Sequence, residues 1–283
     1  MQATTEFTFE NTTRMIQTKD YRIQINDAGK GHPLFLIHGG GPGATAWSNF
    51  APNIATLGKK FRAIAVTMPG WGESSPQGSA TGRDPVKALT QLVDALDIDK
   101  VALVGNSMGG GAAIGFTAEH PERVSHLVTM GVGGPGLNIL QQAGPTEGIR
   151  ILVEAYKNCT PENMRRLVKI MCYDPSIASD ELVTERTEAA LRYPEHLKNF
   201  IDLLATGPMG VPLSTIPKLM ASTVPTMAIH GRDDRCNHFE MSLRTLAIIP
   251  NSRLVLINRC GHWAQLEHAA EFNRLVDDFV THN

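Results

Sequence analysis

VALVGNSMGGGAAIGF, residues 101–116, decides how the rest of the chain is read. An apolar run leads into Gly105-Asn106-Ser107-Met108-Gly109, more glycine follows, and the pattern then turns helical. A strand that hands over to a helix through a glycine-flanked serine forces that serine into a strained turn. Side chains two positions away on either side would collide in such a turn. Gly105, Gly109 and Gly110 therefore clear room for Ser107 to stand out at the carboxyl end of the strand.

Outward from that turn, short apolar runs bounded by Gly or Pro recur at residues 34–37, 63–66, 127–130, 226–229 and 254–257, and read as buried strands. Helical spacing lies between them, at residues 85–96, 110–119 and 269–280. Strand and helix in alternation predict a parallel sheet covered on both faces. Residues 7–9 and 21–26 alternate polar with apolar and predict an antiparallel pair at its edge. Between 134 and 217 the alternation stops, and helix-like stretches follow one another at 146–157, 161–172, 179–192 and 195–205. The expected organisation is a core of residues 1–134 and 216–283, with residues 135–215 inserted as a helical lid.

Composition narrows the function classes. The chain has 283 residues, 42% of them hydrophobic, enough for a self-sufficient core. Its formal charge is −2, and Lys and Arg are mixed with Asp and Glu, so no basic face is expected for nucleic acid or for a membrane surface. A small molecule is the expected partner. No apolar run approaches the roughly 18 residues of a membrane span, and the first residues lack the regions of a signal peptide, so a cytoplasmic location is expected. Cys159, Cys172, Cys236 and Cys260 are scattered without CxxC or metal-ligand spacing; four reduced thiols are expected, with neither disulfide nor zinc.

An exposed serine is a poor nucleophile until a base takes its proton, and that base needs a carboxylate to orient it. Cys260-Gly261-His262-Trp263 follows the last predicted strand, and Gly231-Arg232-Asp233-Asp234 follows the one before. The resulting order Ser, Asp, His is that of an α/β-hydrolase. Of the ten histidines only His262 combines the strand-end position with the order; His126 and His230 border strands and read as packed core residues. Asp234 is preferred to Asp233 because it stands three residues after the glycine that ends its strand. His38-Gly39-Gly40-Gly41-Pro42-Gly43, after the run LFLI, supplies the third requirement, a loop whose backbone N–H groups face a developing oxyanion. Gly40 and Met108 are the expected donors, and His38 reads as structural. The loop lacks GK[ST] and GxGxxG, which argues against a phosphate cradle.

Five stretches carry a closer likeness: HGGGPGATAWSNF (38–50), LVGNSMGG (103–110), RYPEHLKNF (192–200), GRDDR (231–235) and CGHWAQLEHAAEFNRLV (260–276). Together they resemble the meta-cleavage product hydrolases, which split a carbon–carbon bond of 2-hydroxy-6-oxohexa-2,4-dienoates. The resemblance covers nearly the whole chain. It implies an α/β-hydrolase fold with a mostly parallel eight-stranded sheet flanked by helices, and a triad of Ser107, Asp234 and His262. It implies oxyanion donors at Gly40 and Met108, and substrate contacts at Gly39, Asn49, Asn106, Arg192 and Trp263. Arg192, from the lid, would grip the substrate carboxylate, which a planar guanidinium suits. Apolar residues of 136–152 and 203–213 would surround the group on C6. No metal, flavin or nucleotide is called for, and a homodimer or larger assembly is expected.

Two departures stand out. Cys236-Asn237-His238 replaces the family's hydrophobic residue, Val and Pro beside the acid, and Thr67 stands where many hydrolases have Asp. The rival readings are a serine carboxylesterase of the same fold, which needs no carboxylate clamp, and a non-catalytic ligand-binding protein on this scaffold.

Overall fold

Register between neighbouring strands is what gathers the candidate residues in this chain. A computed structural model describes residues 7–77, 82–134, 136, 140, 144–206 and 210–283. Among them, eight strands form one sheet: β1 (Thr13–Gln17), β2 (Arg22–Ala28), β3 (Pro33–Ile37), β4 (Arg62–Thr67), β5 (Val101–Asn106), β6 (Val124–Met130), β7 (Thr226–Gly231) and β8 (Ser252–Ile257). Their order is β1-β2-β4-β3-β5-β6-β7-β8. The pairs β1/β2 and β2/β4 are antiparallel and the remaining neighbours parallel.

Central strands read as continuous apolar runs because both faces are covered. Leu34 and Leu36 of β3 pack with Ala102 and Val104 of β5 on one face, while Phe35, Ile37 and Leu103 serve the core on the other. The helices are α1 (Phe9–Thr12), α2 (Ala46–Leu57), α3 (Pro85–Ala95), α4 (Met108–Glu119), α5 (Glu147–Lys157), α6 (Pro161–Met171), α7 (Asp180–Leu191), α8 (Pro194–Leu204), α9 (Ile216–Met220), α10 (Glu240–Ile248), α11 (Ala264–Glu267) and α12 (Ala269–His282). Five of these, α5 to α9, follow one another between β6 and β7. Thr146, Thr160 and Ser179 start α5, α6 and α7, each accepting a backbone N–H from the first turn, and α8 opens with Pro194.

The amino-terminal edge departs from expectation. Residues 7–9 form no strand; Thr8 Oγ1 accepts the N–H of Asn11 while Asn11 Oδ1 accepts that of Thr8, and this reciprocal cap starts the single turn α1. The partner of β2 is β1 instead, with Thr13 opposite Asn26.

In the parallel part, Ile37 lies opposite Gly105, Asn106 opposite Met130, Met130 opposite Ile229, and Gly231 opposite Ile257. The strands therefore end level. The loops after β3, β5, β7 and β8 emerge along one rim, where open α/β sheets bind ligands. An aromatic cluster ties α5 and α8 to it: Tyr156 stacks on Phe200 at 3.8 Å and Trp71 meets Phe200 edge-on at 6.0 Å. Each such pair contributes about 0.5–1.5 kcal/mol beyond area burial. Trp71 Nε1 donates to Gly41 O at 2.9 Å, so the cluster also fixes the glycine loop. Among the described residues no helix is long and apolar enough to cross a membrane.

Candidate active site

Ser107 has φ 52° and ψ −116°, a conformation that side chains rarely adopt. The surrounding glycines are what make it reachable. A Cβ on Gly105 would lie 2.4 Å from Gly109 O, one on Gly109 2.4 Å from Ile37 O, and one on Gly110 2.3 Å from Val132 Cγ1. The turn is held by the Ser107 N–H, which donates to Met130 O at 2.7 Å. Strain of this kind costs about 1–3 kcal/mol and persists only where its surroundings over-determine it.

Behind the serine, His262 Nδ1 lies 2.7 Å from Asp234 Oδ2, whose side chain is fully buried. Asp234 Oδ1 accepts the N–H groups of Cys236 at 2.7 Å and Asn237 at 2.9 Å. The two unusual residues after GRDDR therefore hold the acid rather than displace it. Burial alone would raise the Asp234 pKa; His262, with further help from His230, outweighs it and holds the carboxyl well below the usual range. An ionised acid on Nδ1 keeps that nitrogen protonated and leaves Nε2 as the proton acceptor. Gly131, at φ +60°, lets the imidazole in, since a Cβ there would lie 2.8 Å from His262 Nδ1. Asp233 takes no part; its Oδ1 lies 3.5 Å from Arg232.

His230 is the contact that the sequence concealed. It is buried, as a core residue should be, yet its Nε2 stands 3.3 Å from Asp234 Oδ2 and 2.9 Å from Asn237 O. His38 behaves as expected of a structural residue: Nδ1 lies 2.8 Å from Gly39 O, Nε2 accepts the Met68 N–H at 3.0 Å, and burial pulls its pKa down to about 4. Thr67 Oγ1 accepts the Ala46 N–H at the start of α2.

Two spaces meet at Ser107. The narrower, about 20 Å³, is lined by Gly39, Asn49, Asn106, Arg186, His262 and Trp263. The wider, about 280 Å³, is bordered by Met108, Val132, Val211 and Met241, and both reach Gly40, Ile149 and Leu152. Of the stretches expected around C6, Gly136, Ile149, Leu152, Gly210 and Val211 line the wider space, while residues 137–139, 141–143 and 207–209 lie outside the described residues.

Arg192 is not brought to either space. It is exposed and caps the end of α7, where its backbone N–H bonds back to Glu188 O. The arginine that reaches the cavity is Arg186, on the buried side of the same helix with Val183, Thr187 and Ala190. Only 1% of it is exposed, and its guanidinium carbon lies 4.3 Å from the Trp263 ring centre. Nη2 makes long contacts to Asn49 Oδ1 at 3.4 Å and Ser48 O at 3.5 Å, and among the described residues Nε and Nη1 have no hydrogen-bond partner. Burial lowers its pKa to about 10, so it remains a cation at neutral pH. A buried guanidinium with unused donors is costly unless something anionic meets it.

The two asparagines are less free than expected. Asn49 Nδ2 donates to Thr45 O at 2.8 Å, and Asn106 Nδ2 to Met130 O at 3.2 Å and His262 O at 3.1 Å. Their amide nitrogens brace backbone, whereas Nε and Nη1 of Arg186 are unspent.

The loop carrying His262 is also fastened from above. His262 N–H donates to Met171 O at 2.6 Å, at the end of α6. Glu267 accepts the Gly261 N–H at 2.7 Å and the Asp174 N–H at 2.6 Å, bridging that loop to the helical segment. Among the described residues, two groups present metal-type donors within 4.8 Å of one another, Asp234 with Cys236 and His262, and Cys260 with Glu267 and His268. The carboxylates of both are already spent on these hydrogen bonds.

A family model described as the alpha/beta hydrolase family matches residues 34–275. The 2-hydroxy-6-oxononadienedioate/2-hydroxy-6-oxononatrienedioate hydrolase of Cupriavidus pinatubonensis is 41% identical over 288 residues, spanning 99% of this chain and 98% of its own length. The 2-hydroxy-6-oxo-6-phenylhexa-2,4-dienoate hydrolase of Burkholderia cepacia is 38% identical over 287 residues, 98% of this chain and 99% of its own. Among solved structures, a meta-cleavage product hydrolase from Pseudomonas fluorescens superposes with a TM-score of 0.84 at 32% identity, covering 94% of this chain and 96% of that one.

Proposed function

The chain belongs to the alpha/beta hydrolase family and, within it, to the meta-cleavage product hydrolases, and from that premise we propose that it hydrolyses the C5–C6 bond of a 2-hydroxy-6-oxohexa-2,4-dienoate. The products are 2-hydroxypenta-2,4-dienoate and the carboxylic acid built on C6, a step in the breakdown of aromatic compounds. The observation that carries this reading is Arg186, a buried cation with unused donors beside the serine. A carboxylesterase has no use for it; a dienoate brings the carboxylate it lacks.

In this reading Arg186 receives the C1 carboxylate and Trp263 backs its guanidinium. The dienol ketonises, a proton passing to C5, so that the C5–C6 bond becomes cleavable. Ser107 gives its proton to His262 Nε2 and attacks C6, and the oxyanion forms against the N–H groups of Gly40 and Met108. Collapse breaks the C5–C6 bond; the electron pair leaves on C5 as a conjugated dienolate, which takes the proton from His262. Water, activated by the same histidine, then releases the acid from Ser107. Asp234 remains ionised throughout and holds the imidazole. Residues 135–215 act as the lid that carries Arg186, in a cytoplasmic protein of two or more copies, which light scattering checks.

The test is a stopped absorbance assay with yellow C6-phenyl and C6-methyl dienoates. Loss of the dienolate band with release of benzoate or acetate is the expected outcome. Hydrolysis of an aryl ester with no bleaching of either dienoate would reduce the reading to a serine esterase.

A further inference from the structure

The acid of the site is met from two sides. Asp234 Oδ1 accepts the N–H groups of Cys236 and Asn237, and Oδ2 lies 2.7 Å from His262 Nδ1 and 3.3 Å from His230 Nε2. An ionised carboxylate offers about four lone-pair sites, so two donors on each oxygen saturate it. The last of these donors is His230, fully buried near the end of β7.

Which nitrogen of His230 bears the hydrogen follows from its neighbours. Nε2 faces two groups that only accept, Asn237 O at 2.9 Å and Asp234 Oδ2, so the hydrogen belongs there. Nδ1 stands 2.7 Å from Ser242 Oγ on α10, which also lies 3.2 Å from Val132 O; the shorter contact takes the hydroxyl proton, and Nδ1 accepts it. Asn237 closes the arrangement, because its Nδ2 donates at 2.8 Å to Gly131 O, on the glycine packed against the His262 imidazole. Of the other titratable groups around Asp234, Cys236 and Cys260 are thiols that burial pushes up, so they add no charge at neutral pH. Lys169, Arg232, Asp233 and Arg235 border a surface cleft beside Asp234, and Arg186 shares the narrower cavity with His262.

We propose that His230 is a positioning residue for the Asp234–His262 pair: its Nε2–H holds Asp234 Oδ2 in place for His262 Nδ1 and draws off part of the carboxylate's charge. This rests on the reading of Ser107, Asp234 and His262 given above. With the donor removed, the carboxylate turns more freely and attracts the proton on His262 more strongly. His262 then becomes available as a base only at higher pH.

The experiment follows labelling of Ser107 by a fluorophosphonate against pH in the wild type, in His230→Phe, which keeps a ring and loses the donor, and in His230→Gln, which keeps an N–H. In His230→Phe the plateau rate is expected to fall about 10-fold and the acid limb to move up by about half a unit to one unit. His230→Gln should return both toward the wild type. A His230 that only fills space would leave the limb unmoved in a folded Phe variant, or leave the Gln variant as impaired as the Phe variant, and either result would overturn the proposal. Should His230→Phe not fold, nitrogen-15 NMR of the wild-type imidazoles decides: a hydrogen on Nε2 of His230 is expected, and one on Nδ1 alone overturns it. A wild type that is not labelled at all would remove the reading of Ser107, Asp234 and His262, and this one with it.

Discussion

The guanidinium of Arg186 lies 4.3 Å from the ring centre of Trp263, the residue that follows His262 in the chain. The helical segment and the catalytic rim thus share one contact at the place where a carboxylate is expected. Replacing Arg186 with Ala removes both the stacked plane and the charge. The ratio of dienoate to aryl-ester kcat/KM should fall by about 30-fold or more, since a buried charge pair loses roughly 2–5 kcal/mol when one partner goes. Arg186→Lys should recover little of it, because an ammonium neither stacks nor forks. Steady-state kinetics on the two substrates decide the matter.

Ser107 should oppose stability and activity to each other. Glycine accepts φ 52° freely, so Ser107→Gly should raise the melting temperature by on the order of 1–3 °C while abolishing labelling by a fluorophosphonate. Calorimetry and mass spectrometry on the same sample read both effects.

Asp234 carries a pH signature. Its folded pKa is depressed, so its contribution is present above the ordinary carboxylate range and is lost as pH falls through that range toward the lower folded value. The urea midpoint of the wild type should therefore drop more steeply between about pH 5 and pH 3 than that of Asp234→Asn. The same variant, with the wrong tautomer favoured at His262, should lose about 10⁴-fold in kcat.

Gly131 offers a test of position without touching any reacting group. A methyl at this site would lie 2.8 Å from His262 Nδ1 and would require φ +60° of an alanine. Gly131→Ala should push the imidazole away from Asp234, lowering kcat at least about 10-fold with KM little changed. An unaltered kcat in a folded variant would show that the imidazole tolerates displacement.

Much of this was legible because the relevant signals are local. Apolar runs with glycine within a few residues behind them mark β3, β5, β7 and β8, so Ser107, Asp234 and His262 could be placed on one rim by counting from a strand end. Residues that act through a helix face are harder. Arg186 and Arg192 lie six positions apart on and just beyond α7, and a motif match drew attention to the second. The spacing Val183, Arg186, Thr187, Ala190 repeats at three and four residues and marks the buried stripe, with an arginine inside it. That stripe was the available signal. His230 failed differently: a buried histidine at a strand end is the same in sequence whether it fills space or touches an acid four residues on. At the amino edge, three alternating residues weighed less than a reciprocal cap between Thr8 and Asn11.

The bond from the His262 N–H to Met171 O bears on how specificity can be remodelled in this scaffold. A helical insertion is an attractive unit for grafting, since exchanging it between homologues would bring a new pocket wall in one step. Here the donor insertion must also present a carbonyl where Met171 does, and an N–H for Glu267 where Asp174 does. A graft chosen for its pocket alone would leave His262, the general base proposed above, without its backbone anchor. Useful chimeras of this chain are therefore those whose junctions keep residues 171–174 native, and variation for new substrates belongs on the inward faces of α5 and α7.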